Sequence, residues 1–280
     1  MIVFPNSKIN LGLSILRKRE DGYHDLETVF YPVPIYDSLE IIPLAAHERT
    51  SAFPFTQSGT PVKGRPTSNL CVLAYKLLKK DFPDLPKIKM HLHKVVPSGA
   101  GLGGGSADAA FTLMLLNKMF SLNISEEKLK EYARELGSDC PFFIINKPCF
   151  ATGRGEKLEV IHLDLDNYTF VVVNPGIHID TGLAFLNITP SAPPRSVKEI
   201  ITTIPIERWK DELRNDFEKV IFPRYNEIVE IKDSLYHTGA LYASMSGSGS
   251  TVFGIFPPGH EPEISFPEHY FIRTFTPAAN

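Results

Sequence analysis

The residue types that can do chemistry gather first in Pro97-Ser98-Gly99-Ala100-Gly101-Leu102-Gly103-Gly104-Gly105-Ser106-Ala107. Five glycines fall within seven positions there. Glycine loses more backbone entropy on folding than any other residue, so such density implies a backbone that must approach something closely. Successive N–H groups running into a helix N-terminus suit an anion, phosphate above all. A plain strand-to-helix turn needs one or two glycines, not five. Gly99 to Gly104 matches G-x-G-x-x-G, but dinucleotide binding wants an acidic residue at a strand end about 20 positions on. That window holds Glu126 and Glu127, at the start of a predicted helix. No Gly-Lys-Ser/Thr is present, which excludes a Walker A loop. A phosphate cradle of another kind remains, with Ser106 at the helix start offering its hydroxyl to a phosphate or to Mg²⁺.

Two further residues gain meaning as a pair. A lysine such as Lys8 on the polar face of a strand is usually solvated, and an aspartate such as Asp139, between Gly137 and Pro141, is usually a helix cap. Together they offer a carboxylate to position and deprotonate an acceptor hydroxyl and a cation to keep that carboxylate ionised. Gly22-Tyr23-His24 closes a charged turn. It reads either as surface decoration or as a nucleobase clamp, with ring stacking from Tyr23 and hydrogen bonds from His24. His91 and His93 share a strand face without an acidic or cysteine partner at metal spacing, so they read as solvated surface. Cys140 has no evident base, so no cysteine nucleophile is expected. Gly247-Ser248-Gly249-Ser250 is a hairpin turn or a second loop over phosphates.

Composition narrows the class. The 280 residues can bury a full core, and 43% hydrophobic with 22% charged content is ordinary for a globular chain. The net charge, 29 − 32 = −3, gives no electrostatic case for nucleic acid. Cys71, Cys140 and Cys149 are an odd count without metal spacing, which fits a reducing compartment. No signal-peptide pattern opens the chain and no apolar run nears the ~20 residues that span a bilayer. The expectation is a cytoplasmic enzyme with neither nucleic acid nor membrane as partner.

The elements that must position these residues follow from periodicity. Ile9, Leu11, Leu13 and Ile15 alternate with Lys8, Asn10, Gly12 and Ser14, which predicts a half-buried strand. Strands are also expected over 24–33, 39–44 and 88–92, with residues 45–67 a surface loop or irregular hairpin. Ser68 is the expected cap of a helix over 69–81, with Leu70, Leu73, Ala74, Leu77 and Leu78 inward. A second helix is expected to start near Ser106 with Ala107, Ala110, Phe111, Met114 and Leu115 on one face. A third runs from Ser125 to a stop at Gly137. Beyond Pro148, strands are read near 150–152, 158–163, 168–173, 240–245, 251–256 and 270–275, with helical patterning from Ile206 to about His237. Strands with segregated helices indicate an α+β fold in two lobes.

In order along the chain, these motifs resemble the GHMP kinases. The match rests on Pro5-Asn6-Ser7-Lys8-Ile9-Asn10-Leu11, on Pro97 to Ala107, and on Met245-Ser246-Gly247-Ser248-Gly249-Ser250. Asp21-Gly22-Tyr23-His24, Gly137-Ser138-Asp139-Cys140-Pro141-Phe142 and Asn174-Pro175-Gly176 narrow it to members that phosphorylate a cytidine-diphosphate-linked polyol. The resemblance implies a two-lobed α+β fold with mixed and antiparallel sheets, an N-terminal ATP-binding domain over 1–155, a C-terminal domain over 156–280 and an active site in the cleft between them. It implies ATP and Mg²⁺, with Asp139 as base, Lys8 as its cation, residues 97–107 on the ATP phosphates and Ser106 near the metal. Asn69 would belong to the adenine pocket. Tyr23 and His24 would grip the cytosine, with Phe185 on its other face, while Asn10, Asp108 and Thr181 would contact sugar, erythritol or phosphates. Ser7 stands where alanine is common, Asp108 replaces an asparagine of some members, and no acidic Mg²⁺ ligand of the mevalonate-kinase kind is evident. A homoserine, mevalonate or sugar kinase of the same family is the nearest alternative. A non-catalytic binding module and a dinucleotide-dependent dehydrogenase rank lower; ATP-dependent thermal stabilisation and NAD binding discriminate them.

Overall fold

The computed structural model describes residues 1–44, 54–62 and 64–277. In chain order the elements begin β1 (Ile2–Val3), β2 (Asn6–Lys18), β3 (His24–Tyr36), β4 (Ser38–Pro43), β5 (Phe55–Gly59), α1 (Leu70–Asp81), β6 (Ile88–Lys94) and α2 (Gly104–Met119). Next come α3 (Glu126–Leu136), α4 (Cys140–Ile145), β7 (Cys149–Gly153), β8 (Lys157–Val160), β9 (Thr169–Asn174), α5 (Thr181–Leu186) and α6 (Val197–Thr203). The chain ends through α7 (Trp209–Glu212), α8 (Glu218–Ile221), α9 (Asn226–His237), β10 (Tyr242–Met245), β11 (Val252–Phe256) and β12 (Phe271–Phe275). The class is α+β. Two compact units form, neither contiguous in sequence: the first from Met1–Ser7, Ile35–Ser98 and Gly103–Asn146, the second from Lys8–Pro34, Gly99–Leu102 and everything from Lys147 on. This differs from two contiguous domains meeting at residue 155. The difference has a plain cause, since β2 and β3 share a sheet with β7 and β8 in the order β2-β3-β7-β8.

In the first unit the sheet runs β1-β4-β6-β5, antiparallel except where β5 lies parallel to β6. β5 falls within the stretch expected to be a loop or irregular hairpin; residues 45–53 and 63 of that stretch lie outside the described residues. Its side chains also correct the reading of the histidines. Thr56 Oγ1 lies 2.8 Å from His91 Nδ1, and Ser58 Oγ lies 2.9 Å from both His91 Nε2 and His93 Nδ1. The imidazoles therefore meet hydroxyls of β5 instead of water alone. Helix α1 is capped by Asn69, whose Oδ1 accepts from the Cys71 N–H, and not by Ser68. Its buried residues are Val72 and the i, i+3, i+4, i+7 set Cys71, Ala74, Tyr75 and Leu78, so the helix is rotated from the expected one. Helix α2 starts at Gly104, two residues early, and buries Ala107, Asp108, Ala109, Ala110, Thr112, Leu113, Leu115 and Leu116. A helix covered that fully is a central element, not a one-faced surface helix.

In the second unit β2 is buried on both faces from Asn6 to Ser14, so the half-buried reading is corrected: Lys8 and Asn10 are interior polar residues. A second sheet runs β10-β11-β9-β12, all antiparallel. Leu13, Ile15, Val171, Val173, Phe217, Ile228, Ile231, Leu235, Met245, Val252 and Phe256 form its core. The helical patterning from Ile206 resolves into short pieces. Leu213 turns extended after α7, and Arg214 to Asp216 lie along β2: Leu13 N donates to Arg214 O and Asp216 N to Leu13 O, both at 2.8 Å. That segment covers the outer edge of β2, which would otherwise present unpaired backbone groups.

Candidate active site

The glycine loop is built by both protein packing and openness. Gly99, Gly101 and Gly103 have φ of +66°, +82° and +70°, the left-handed region that favours glycine. Two glycines are required by neighbouring protein atoms. A Cβ on Gly101 would stand 1.9 Å from Ser246 O, and one on Gly104 would stand 2.9 Å from Val96 Cγ1. Gly99 and Gly105 are exposed and open, their nearest non-local atoms at 3.9 Å. Ala100, Leu102, Gly104 and Ala107 are buried anchors; the Leu102 carbonyl accepts from Lys8 N at 2.9 Å and the Ala100 carbonyl from Thr251 N at 3.3 Å. Ser98, Gly99, Gly101, Gly103, Gly105 and Ser106 are the loop residues that reach solvent, with Pro97 half-buried before them. Gly103 caps α2 without a side-chain bond, so the first N–H groups of a 16-residue helix are left to an external acceptor. That arrangement fits a phosphate.

Three of the expected residues lie in the first unit beyond the loop. Asp139 sits at the N-cap of α4, the position expected, yet its side chain makes no cap hydrogen bond. The neighbouring Cys140 thiol is pushed up to about 12 by burial, opposed by a hydrogen bond from the Ser106 hydroxyl, so it is no nucleophile. That contact also brings the start of α2 against the start of α4, placing Ser106 beside Cys140 and hence near Asp139 along the chain. Asn69 spends Oδ1 on capping α1 and lines a cavity of about 220 Å³ with Phe55, Gln57, Val62, Gly64, Arg65 and Pro66.

Asp108 is an interior residue of α2. It is buried in an ion cluster, where Lys94 Nζ donates to Asp108 Oδ2 at 2.8 Å and to Asp37 Oδ2, and Asp37 Oδ1 accepts from the N–H groups of Val95 and Val96. Asp108 Oδ1 is buried without a hydrogen-bond partner. Burial drives the Asp108 carboxyl above its ordinary range, Lys94 opposing and Asp37 adding to the rise. The residue ties α2 to the end of β6.

The second unit holds the others. Lys8 is only 3% exposed; its ammonium donates to Asn10 Oδ1 at 2.6 Å and to Gly101 O at 3.2 Å and lies 4.9 Å from the Phe30 ring centroid. Asn10, expected on the substrate, accepts from Lys8, and its Nδ2 donates to Thr28 Oγ1 at 3.0 Å. Tyr23 is 56% exposed with the Arg154 guanidinium 4.5 Å from its ring centroid. Phe185 stacks on His24 at 5.2 Å and 17°, so it backs the imidazole. Burial, helped by Lys18, holds the His24 imidazole below its ordinary value, which keeps it neutral. Thr181 Oγ1 lies 2.8 Å from Ser248 Oγ, tying α5 to the glycine–serine turn. Sequence reasoning missed Thr28, Lys94, Asp37 and Arg154, none of which stands in a recognisable spacing.

Family comparison settles the class. A model of the GHMP kinases N terminal domain matches residues 69–147 and one of GHMP kinases C terminal matches 201–265. The chain belongs to the GHMP kinase family. It is 54% identical over 258 residues to a 4-diphosphocytidyl-2-C-methyl-D-erythritol kinase of Bacteroides fragilis, covering 92% of this chain and 93% of that one. Identity to the enzyme of that name from Azobacteroides pseudotrichonymphae is 50% over 274 residues, covering 97% and 100%. Among solved structures, a 4-(cytidine 5'-diphospho)-2C-methyl-D-erythritol kinase aligns with TM-score 0.76 and 31% identity over 91% of this chain and 90% of that one. Mevalonate kinase of Methanococcus jannaschii, at TM-score 0.65 and 14% identity over 91% and 90%, shares the fold alone. As a GHMP kinase the chain uses ATP as phosphoryl donor. Among the described residues no helix is long and apolar enough to cross a membrane.

Proposed function

We propose that this kinase transfers the γ-phosphoryl group of ATP to the 2-hydroxyl of 4-diphosphocytidyl-2-C-methyl-D-erythritol, in non-mevalonate isoprenoid precursor biosynthesis. One observation carries the substrate: about half of the residues are identical, over nearly the whole chain, to proteins of that name. Tyr23, an exposed ring backed by Arg154, and the neutral His24 backed by Phe185 offer the stacking and hydrogen-bonding surfaces a cytosine needs.

In this reading Asp139 accepts the proton of the acceptor hydroxyl as its oxygen bonds to the γ-phosphorus. The bond from that phosphorus to the β–γ bridging oxygen breaks, and ADP leaves. Lys8, oriented by Asn10 and the Gly101 carbonyl, supplies the positive charge that keeps Asp139 ionised and steadies the acceptor. Backbone N–H groups of Gly99, Gly103 and Gly105 and the α2 N-terminus cradle the phosphates. Positioning and charge neutralisation do most of the work in such transfers. Mg²⁺ would be held by the nucleotide phosphates with the Ser106 hydroxyl in reach, and it supplies neutralising charge when bound. ADP release measured with the cytidine-linked polyol, homoserine, mevalonate and a sugar tests the reading. Turnover confined to the first is expected; comparable kcat/KM with any other overturns it.

A further inference from the structure

An asparagine outside every sequence motif grips the glycine–serine turn. The segment Arg214 to Asp216, laid along β2, brings Asn215 to residues 245–250, and Asn215 is only 2% exposed. Its Nδ2 donates to Met245 O at 2.7 Å and to Gly247 O at 2.8 Å, and its Oδ1 accepts from Phe217 N at 3.0 Å. A carboxamide has two N–H donors, and both are spent on this turn. Between the two gripped carbonyls lies Ser246. Ser246 Oγ donates to Gly101 O at 2.8 Å and accepts from Asn10 N at 3.2 Å. Gly101 O and Asn10 Oδ1 both accept from the Lys8 ammonium, as described above. The turn and the loop also touch through backbone, since a Cβ on Gly247 would stand 3.3 Å from Gly101 Cα.

We propose that Asn215 is a positioning residue for the Lys8 ammonium: by fixing the Met245 and Gly247 carbonyls it sets Ser246, and Ser246 sets Gly101 O and Asn10. This rests on Lys8 serving as the cation of the site. Loss of the grip lets the Gly101 carbonyl drift, and the ammonium follows. The two ends of this path are not joined by any direct contact between Asn215 and Lys8, so the coupling runs through the turn.

Steady-state kinetics, pH profiles and thermal melts of Asn215→Ala, Asn215→Asp, Ser246→Ala, the Asn215→Ala/Ser246→Ala double variant and Lys8→Ala test it. Asn215→Ala is expected to lower kcat by about ten- to a hundredfold, the scale of losing buried hydrogen bonds at a site. Its KM for the cytidine-linked polyol should stay within about twofold, and the acidic limb of the kcat profile should move to higher pH. Asn215→Asp, which turns an oxygen toward two carbonyl oxygens, should lose more. Ser246→Ala should move kcat and the acidic limb in the same direction. The double variant should be no worse than the poorer single one, because both cut one path. A folded Asn215 variant with kcat within twofold of the parent, an unmoved acidic limb, or losses that multiply in the double variant overturns the proposal. If Asn215→Ala does not fold, Asn215→Asp and Ser246→Ala decide by the same criteria. Should Lys8→Ala itself retain kcat, the cation assignment fails, and that result is separate from the behaviour of Asn215.

Discussion

Two buried lysines, one in each unit, are held in different ways. Lys94, 2% exposed, is ion-paired to Asp37 and Asp108, and the cluster joins β6 to α2. Lys8 donates to a carboxamide and a backbone carbonyl and faces an aromatic ring. Burial alone would lower the Lys94 ammonium, but attraction to Asp108 and Asp37 outweighs it and moves it up. Desolvated charge is costly in both places, so each must be offset by something. Around Lys94 the offset is other charge, which makes that cluster a structural joint. Around Lys8 the offset includes the glycine loop itself, which links the residue to the loop that would bind phosphate. On the proposed function, stability and catalysis fall on different lysines.

The sharpest break of that contrast comes from comparing activity with stability at the two positions. Asp139→Asn and Lys8→Met are each expected to cut kcat by about 10²–10⁴ at saturating ATP, on the scale of general acid–base catalysis. Melting temperatures should stay near the parent for Asp139→Asn. ATP should still raise the melting temperature of both, so retained turnover in either variant ends its assignment. Lys94→Met should do the reverse. It strands two carboxylates in the interior and should cost about 3–5 kcal/mol of stability, read by denaturant unfolding. A stable Lys94→Met protein would mean that the cluster is not the joint described. Tyr23→Ala comes next in size: KM for the cytidine-linked polyol should rise about tenfold, the upper range for one stacking contact, with KM for ATP unchanged. Equal changes in both would remove Tyr23 from the nucleobase site.

How much of this was legible before the fold is clearest at particular residues. The alternation of Ile9, Leu11, Leu13 and Ile15 announces a strand, but it cannot tell that residues packed on the other face bury Lys8 and Asn10 as well. The glycine run announces close approach, yet density does not say that Gly101 yields to Ser246 O and Gly104 to Val96 while Gly99 and Gly105 stay open. Asp139 was placed by its neighbours Gly137 and Pro141. β5 was not read, because five mostly polar residues paired in parallel with a strand far along the chain carry no local period. Asn215 was hidden for a related reason. It sits where a helical pattern breaks so that the segment can pair with β2, and pairing partners two hundred residues apart leave no mark on local spacing. Motifs carried the identity of the chemistry; long-range pairing carried the supports around it.

The smallest effect distinguishes the two lysine sites by pH. Asp108 has a folded value above its unfolded one, raised by burial and by Asp37 against the pull of Lys94. The folded state therefore holds that proton more tightly than the unfolded chain does. Its contribution to stability is fully present below the unfolded aspartate value of about 3.9 and is lost as pH rises through the raised folded value. Asp108→Asn keeps an oxygen for Lys94 and removes the titration, leaving one cation opposite the Asp37 carboxylate. Other carboxylates shape the absolute curve, so the readout is the difference in melting temperature between variant and parent. That difference should move in the variant's favour from about pH 4 toward neutrality and then level. A flat difference across the range would show that Asp108 does not titrate in the folded protein, and the cluster would then be a pair of fixed charges on one lysine. The equivalent measurement on Asn10→Ala, beside Lys8, should show no slope from Asn10 itself, since a carboxamide carries no proton to lose.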